Sequence, residues 1–316
     1  MQKILVTGGA GYIGSTLVPR LLADGHQVTV VDSFMFGQAS LLDCCANPGF
    51  RVIKGDVRDQ DLMARELGQH DVIIPLAAIV GAPSCDRYPA AATAINLDAV
   101  RFMASRLSAD QRVIFPVTNS GYGIGEAGKF CTEESPLRPI SLYGRTKVEA
   151  ERILLETGAA VTLRLATVFG SSPRMRIDLL VNDFVYRAVY DRFVVLFEAK
   201  FKRNYLHVRD VAGAMMFALT NFDSMRGQTY NCGLSDANLS KLELCEKIKS
   251  YLADFHILES DLGEDPDKRD YIVSNAKIEA AGWRPRHSLD DGISELIKAY
   301  TIIRNGGRFD NLGGYA

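Results

Sequence analysis

A tyrosine and a lysine stand four residues apart in this chain, at Tyr143 and Lys147. A helix predicted to begin near Leu142 places them on one face, because residues i and i+4 are neighbours on a helix surface. A phenol must drop by about 3 pKa units to act as a base near pH 7, which takes about 4 kcal/mol. An ammonium about 4 Å away supplies roughly that much at an effective dielectric of about 20. The pair predicts proton abstraction by Tyr143, with Thr118 holding the same hydroxyl.

A tyrosine and a lysine at this spacing are common on surface helices. The catalytic interpretation is supported by a glycine loop near the start of the chain. Gly8, Gly11 and Gly14 follow an apolar run at 4–6 and precede a predicted helix at 15–23. Such a loop gives a tight turn, lets the backbone approach a pyrophosphate closely and presents a helix N-terminus to the anion. The loop predicts a dinucleotide cofactor.

Asp32 closes a second apolar run, residues 28–31, in position to bind the hydroxyls of an adenosine ribose. Further predicted strands alternate with helices and lie at 51–54, 71–75, 112–117 and 161–164. This alternation predicts an α/β fold with a Rossmann-type doubly wound parallel sheet. Ligands bind beyond the carboxyl ends of such strands. The residues expected there are Gly8, Gly11, Tyr12, Ile13, Gly14, Asp32, Asp56, Val57, Leu76, Ala77, Ala78 and Thr118.

The alternation weakens after about residue 170, which predicts a second, smaller lobe of mixed α/β structure. The expected ranges are 1–170 plus about 205–233 for the sheet domain, about 171–204 plus 234–304 for the smaller lobe, and 305–316 for a mobile tail. One long helix is predicted at 90–107, within the sheet domain.

Composition excludes several classes of partner. The net charge is −2, and the absence of a basic stripe argues against nucleic acid. No apolar run approaches about 18 residues and the chain starts directly with a strand, so we expect a cytoplasmic protein without a membrane segment. The six cysteines and five histidines are scattered, which argues against a metal site.

Taken together, these motifs resemble the extended short-chain dehydrogenase/reductases, the NAD-dependent epimerase/dehydratase family that acts on nucleotide sugars. The matching segments run through most of the chain: GGAGYIG at 8–14, Asp32, 55–57, 76–78, Asn96, Thr118, Tyr143 with Lys147, Arg164, 205–210 and 230–231. The resemblance implies NAD as cofactor, a nucleoside diphosphate sugar in the second lobe, and oxidation of that sugar at C4. It also implies a homodimer through the helices at 90–107 and 143–156.

The resemblance assigns roles to individual residues. Thr118, Tyr143 and Lys147 are the expected catalytic residues, and all three also contact NAD. The expected substrate-binding residues are Ser120, Arg174, Arg176, Asn182, Arg203 and Arg269.

The residues after Thr118 depart from part of the family. Dehydratases and decarboxylases carry an acid one or two positions later, where this chain has Asn119 and Ser120. The 3,5-epimerases use a cysteine near this turn, and none is present here. A 4-dehydrogenase or 4-epimerase is therefore the leading hypothesis. The runs at 118–126, 164–182 and 265–274 resemble GDP-manno-heptose 4-dehydrogenases.

The sequence alone is also compatible with several other functions. Within the family they are a 4,6-dehydratase or a 4-keto reductase. Outside it, a non-catalytic NAD sensor is expected to lose Tyr143 or Lys147, and a carbonyl reductase for small substrates is expected to lack Arg203 and a basic second lobe.

Overall fold

The computed structural model describes residues 1–260, 262 and 269–304. The predicted tail at 305–316 lies outside this range. The strands, in chain order, are β1 (Lys3–Thr7), β2 (Gln27–Asp32), β3 (Phe50–Lys54), β4 (Val72–Pro75), β5 (Arg112–Thr118), β6 (Phe130–Cys131), β7 (Ala160–Leu165), β8 (Thr167–Phe169), β9 (Phe193–Leu196), β10 (Lys202–His207), β11 (Thr229–Cys232), β12 (Asn238–Ser240), β13 (His256–Glu259) and β14 (Ile272–Val273).

Seven of these strands form one parallel sheet in the order β3-β2-β1-β4-β5-β7-β11. The central strands are almost wholly apolar and buried, as expected for strands covered by helices on both faces. The predicted Rossmann-type doubly wound sheet is confirmed. Asp32 and Thr118 are the last residues of β2 and β5, so both stand at the carboxyl edge.

Helices connect the strands. In chain order they are α1 (Gly14–Ala23), α2 (Gln60–Leu67), α3 (Ala82–Arg87), α4 (Pro89–Thr93), α5 (Ala99–Arg106), α6 (Leu142–Glu156), α7 (Leu180–Tyr190), α8 (Val208–Thr220), α9 (Phe222–Met225), α10 (Lys241–Lys249), α11 (Ala276–Ala280) and α12 (Leu289–Ile302). Helix α6 begins at Leu142, as predicted, after the capping residue Ser141, whose hydroxyl accepts the Gly144 N–H.

The single helix predicted at 90–107 is interrupted. A π-helical turn, Ala94–Asp98, separates α4 from α5. The Asn96 amide within it is buried and bonds both backbone groups of Ile79, receiving the N–H at 2.8 Å and donating to the carbonyl at 2.9 Å. Periodicity in the sequence cannot show such a bulge, because it depends on a distant backbone partner.

Strand β10 does not join the main sheet, although the sequence predicted that residues 205–210 return to the first lobe. It pairs with β8 in parallel and with β12 antiparallel. Its alternate side chains enter different cores: Leu206 packs among the residues under the main sheet, whereas Tyr205 packs in a second core. Helix α8, which follows, lies against α1 beside the main sheet.

The second core is built mainly from α7, α10 and α12. Its members come from residues 169–205, 234–257 and 289–303. The segment around α11 differs, because Ile278 and Trp283 pack in the first core. In the part of the chain that the structure describes, no helix is long and apolar enough to cross a membrane.

Candidate active site

The glycine loop lies between β1 and α1 with its backbone closely packed. Gly8 has a φ of +67°, and a Cβ at that position would lie 2.5 Å from the Ala77 backbone nitrogen. A Cβ at Gly14 would lie 2.4 Å from the carbonyl oxygen of Gly9. Neither position accepts a side chain, so the loop leaves open space before the first turn of α1. Gly8, Gly11 and Gly14 line a cavity at the N-terminal end of α1, where the helix dipole favours an anion.

Asp32 is fixed at the end of β2 by three hydrogen bonds. Its carboxylate accepts the Ala10 N–H at 3.0 Å, the Phe34 N–H at 2.8 Å and the Gln38 side-chain amide at 3.3 Å. Burial raises the pKa of Asp32, and these donors oppose the rise. A buried carboxylate beside the glycine loop matches the acceptor that an adenosine ribose requires. The loop and Asp32 together fit a dinucleotide.

A cavity of about 580 Å³ runs along the carboxyl edge of the sheet into the second lobe. Nearly all the residues expected from the sequence line it. They are Gly8, Gly11, Tyr12, Ile13, Gly14, Asp32, Asp56, Val57, Leu76, Ala77, Ala78, Thr118, Ser120, Tyr143, Lys147, Arg174, Arg176, Arg203 and Arg269.

Asn182 is the exception among the expected site residues. It is fully buried and does not line the cavity. Its side-chain oxygen accepts the Gly170 N–H at 3.0 Å, and its amide donates to the Arg176 carbonyl at 2.8 Å and to the Tyr12 hydroxyl at 3.3 Å. Asn182 therefore positions the Arg176 segment instead of contacting a ligand in the cavity.

Thr118 and Ser120 form a hydroxyl pair at the end of β5. Their Oγ1 and Oγ atoms are 2.8 Å apart, and the Ser120 N–H donates to Thr118 Oγ1 at 3.1 Å. Arg269, from the second lobe, donates a hydrogen bond to Ser120 Oγ. The turn thus offers a substrate two hydroxyls with a guanidinium behind them.

The phenol of Tyr143 is protonated in this environment. Burial raises its pKa to about 12, and the nearby Cys85 thiol adds to the rise. The guanidiniums of Arg176 and Arg269 act in the opposite direction. The sequence predicted a lowered pKa through Lys147. The structure shows a raised one, because removal from water disfavours the phenolate.

Lys147 is also buried, with 4% of its surface exposed. Its Nζ lies 3.8 Å from the centroid of the Phe115 ring, a cation–π contact. Burial lowers its pKa to about 7, and Glu151 acts against the fall. Both the charged and the neutral form of Lys147 are therefore populated near neutral pH.

Glu151 was not identified as a site residue from the sequence. It is nevertheless the third member of a series at i, i+4 and i+8 with Tyr143 and Lys147. It is buried against Arg164 of β7, which donates from Nη2 at 2.9 Å and from Nε at 3.1 Å. Arg164 also donates to the Tyr122 hydroxyl at 3.1 Å. This buried network joins the helix that carries the tyrosine and lysine to the turn that follows Thr118.

Arg174 lies nearer the cofactor side of the cavity than the sequence suggested. Its guanidinium is 4.5 Å from the centroid of the Phe36 ring, in the loop after Asp32, and the Arg174 backbone N–H donates to Ser15 Oγ at 3.3 Å. Its charge also opposes the rise that burial causes in the pKa of Asp32. These contacts place Arg174 beside the residues expected to bind the cofactor.

The remaining cations face the second lobe. Arg176 is paired with Asp178, and Arg203 lies over the Tyr271 ring at 5.8 Å. Lys241, the first residue of α10, was also not identified from the sequence as a cavity residue, because it belongs to no recognisable motif. It is buried at the cavity wall, and its Nζ donates to the Phe197 carbonyl at 2.7 Å.

Comparison with known proteins agrees with this geometry. The profile of the NAD dependent epimerase/dehydratase family matches residues 4–233. The "Low-salt glycan biosynthesis protein Agl12" of Haloferax volcanii is 31% identical over 318 residues, covering 95% of this chain and 98% of the relative. A UDP-glucose 4-epimerase of Corynebacterium glutamicum is 27% identical over 327 residues, covering 95% and 96% of the two chains.

A crystal structure of dTDP-glucose 4,6-dehydratase from Streptomyces venezuelae, with NAD and TYD bound, superposes with a TM-score of 0.83. It is 26% identical and covers 98% of this chain and 100% of its own. The profile match spans well over half of the sequence, and the relatives align along nearly all of it. The chain therefore belongs to the NAD-dependent epimerase/dehydratase family of enzymes, and its cofactor is NAD.

Proposed function

We propose that this protein oxidises C4 of a nucleoside diphosphate sugar with NAD, as a 4-dehydrogenase or a 4-epimerase. The observation that carries the proposal is the meeting of Thr118, Tyr143 and Lys147 in one cavity. That cavity extends from the glycine loop to the basic residues of the second lobe. Both Tyr143 and Lys147 are present, which argues against a non-catalytic sensor.

The chemistry requires a proton to leave the C4 hydroxyl oxygen and a hydride to leave C4 itself. Thr118 Oγ1 binds the C4 hydroxyl, and the oxygen of Tyr143 takes its proton. Bound NAD supplies a hydride acceptor and a positive ring charge. Because burial keeps Tyr143 protonated, proton removal depends on added positive charge, from a protonated Lys147 and from the cofactor.

The turn after Thr118 supports oxidation over elimination. Loss of water from the sugar requires an acid to protonate the departing hydroxide. Neither the amide of Asn119 nor the hydroxyl of Ser120 has a proton of suitable pKa. Asn119 is also buried away from the cavity lining. We therefore favour a product that keeps its C6 oxygen.

The substrate side of the cavity supports a diphosphate. Arg176, Arg203 and Arg269 reach it from three separate segments, and arginine matches the oxygen geometry of phosphates. The sequence resemblance to GDP-manno-heptose 4-dehydrogenases makes GDP-manno-heptose the first substrate to test. Release of a 4-keto sugar is the outcome we favour over epimerisation.

The test is incubation of the purified protein with NAD and a panel of nucleotide sugars that includes GDP-manno-heptose. Nicotinamide absorbance, product mass and product NMR are followed, with Tyr143→Phe as the control variant. Loss of two hydrogens supports a dehydrogenase, and an unchanged mass with altered ring couplings supports an epimerase. A product that has lost water, or the absence of turnover with every sugar, contradicts the proposal.

We also propose a homodimer. Helices α5 and α6 pack against each other on one face of the sheet, and the family resemblance implies that this pair meets its copy in a four-helix bundle. Light scattering at micromolar concentration should give about twice the chain mass of 34.7 kDa. A mass equal to one chain contradicts the dimer.

A further inference from the structure

A second cleft, of about 400 Å³, opens beside the glycine helix and is separate from the active-site cavity. It lies between the flank of α1, the loop after β8 and the first turn of α8. The lining residues are Ser15, Thr16, Pro19, Arg20, Ser171, Ser172, Pro173 and Arg209. None of them lines the larger cavity.

Two arginines give this cleft its charge, and no carboxylate is among its described lining residues. Arg20 donates one hydrogen bond, from Nη1 to the Arg209 carbonyl at 2.7 Å. The structure shows no other partner for Arg20 among the described residues. Its pKa is lowered by burial first, then by the positive charge of Arg209, and also by Arg286, while Asp210 opposes the fall. The cleft thus brings like charges together.

The nearby acids, Asp210 and Glu295, already have partners in the protein. Asp210 accepts the N–H groups of Arg286 and His287 at 3.1 and 2.9 Å, and the His287 Nδ1 lies 2.9 Å away. Glu295 accepts the Ser171 N–H at 2.8 Å and its hydroxyl at 2.5 Å. Glu295 also pairs with Arg209 through a single nitrogen of the guanidinium, Nη1. The remaining N–H groups of both cleft arginines are left for a ligand.

Hydroxyl side chains, bonded to one another, form the opposite wall of the cleft. Ser15 Oγ and Ser172 Oγ are 2.9 Å apart, and Thr16 Oγ1 lies 3.4 Å from Ser172 Oγ. Ser172 Oγ in turn donates to the carbonyl of Tyr12 at 2.7 Å, so the wall of the cleft is tied to the glycine loop. The donors of the cleft are therefore its guanidiniums, which match the oxygen geometry of phosphate and form strong, charge-assisted hydrogen bonds with it.

We propose that this cleft binds a phosphate-type anion, either inorganic phosphate or the phosphate end of a small phosphomonoester. The ligand bridges the guanidiniums of Arg20 and Arg209 and lies against the serine and threonine side chains of the opposite wall. Because Ser172 bonds the Tyr12 carbonyl and Ser15 accepts the backbone N–H of Arg174, the anion lies against a segment that is tied to the glycine loop. The site is additional to the phosphate-binding parts of the active site.

The test is a calorimetric titration of inorganic phosphate into the full-length protein saturated with NAD and with UDP plus GDP. These ligands are added to occupy the diphosphate-binding region proposed for the main cavity, and comparison with Arg20→Gln assigns the remaining phosphate binding to the cleft. Saturable binding is expected, and Arg20→Gln should raise the Kd about tenfold or more, the loss of one charge-assisted hydrogen bond. Arg65→Gln, on the exposed face of α2, is the matched control and should leave the Kd unchanged.

A second arm separates the two ligand sources. A hexose 1-phosphate that binds much more tightly than inorganic phosphate identifies a phosphomonoester site, and equal affinities identify a site for free phosphate. The unphosphorylated hexose should not bind. Arg20→Lys, which keeps the charge, should recover part of the affinity. The absence of saturable phosphate binding, or binding that Arg20→Gln does not weaken, overturns the proposal whether or not the enzyme oxidises nucleotide sugars.

Discussion

Burial determines the protonation of the two residues that move the proton. It raises the pKa of Tyr143 to about 12 and lowers the pKa of Lys147 to about 7. Both shifts favour neutral side chains, because a charge is poorly solvated in the cavity wall. The free enzyme therefore holds its base in the inactive, protonated form, and added positive charge is needed to activate it.

Replacement of Tyr143 by Phe tests this role. The variant should lose turnover by about 10²- to 10⁴-fold, because the hydroxyl is the proton acceptor. NAD affinity should stay close to that of the wild type, since Phe retains the ring. Turnover is measured by nicotinamide absorbance, and NAD binding by calorimetry. A variant that keeps more than about a tenth of the wild-type kcat contradicts the assignment.

Asp32 should make the enzyme prefer NAD over NADP. A 2′-phosphate brings nearly two negative charges close to this carboxylate, and each costs a few kcal/mol at an effective dielectric of about 20. Asp32→Asn keeps the shape and removes the charge, so the ratio of the two dissociation constants should move toward one. Titration of both cofactors checks this. Equal affinities in the wild type contradict the expectation, and they would then point to Arg174 as the group that accepts the phosphate.

Side-chain positions were more predictable from the sequence than side-chain charge. Thr118 and Asp32 could be placed together because strands of a parallel sheet end at one edge. The pKa of Tyr143 could not be predicted, since it depends on how much water the surrounding segments exclude. The sequence-based placement of Asn182 in the cavity lining failed for a related reason. The sequence indicated that Asn182 lies near Arg176, but it could not show the direction in which the Asn182 side-chain amide points.

Helix α6 brings three chemically linked residues to one face. Tyr143 and Lys147 line the cavity, and Glu151 lies one turn further on, held by Arg164 from β7. The arginine holds the glutamate in place, and the glutamate supports the charge of the lysine. Sequence spacing predicted the first pair, whereas Arg164 could be recognised as the partner of Glu151 only once β7 was placed under α6.

The lowered pKa of Lys147 makes stability depend on pH. Between about pH 7 and its ordinary value of 10.5, the unfolded chain keeps a proton on this lysine that the folded chain has released. The free energy of unfolding should therefore rise with pH in this window, by up to about 1.4 kcal/mol per pH unit. Lys147→Met removes the contribution, so the stability of the wild type relative to this variant should increase from pH 7 to higher pH.

Denaturant unfolding of both proteins across this pH range is the measurement. Lys298→Met, at an exposed lysine on α12, is the control and should follow the wild type. If the curves of wild type and Lys147→Met run parallel through the window, the lysine is not shifted and its assigned environment is incorrect.

At the scale of the whole molecule, two hydrophobic cores share strands β8 and β10. Phe169 and Tyr205 belong to the second core, while Leu206 belongs to the first. Helix α12 packs against this junction, and a Cβ at Gly292 would lie 2.1 Å from the Phe169 ring. The sequence predicted two lobes from the loss of strand–helix alternation. It could not show that adjacent residues of one strand would be divided between them.

This shared junction predicts that the two cores unfold together. Trp283, the only tryptophan, is buried in the first core and reports its unfolding by fluorescence. Leu296→Ala creates a cavity in the second core, which should cost about 2–5 kcal/mol. Because β10 contributes to both cores, the fluorescence transition should shift by the same amount as the circular dichroism transition.

Val211→Ala, in the first core, is the matched control and should shift both signals together. A fluorescence transition that stays in place while circular dichroism shows earlier loss of helix in Leu296→Ala would instead mean that the lobes unfold independently.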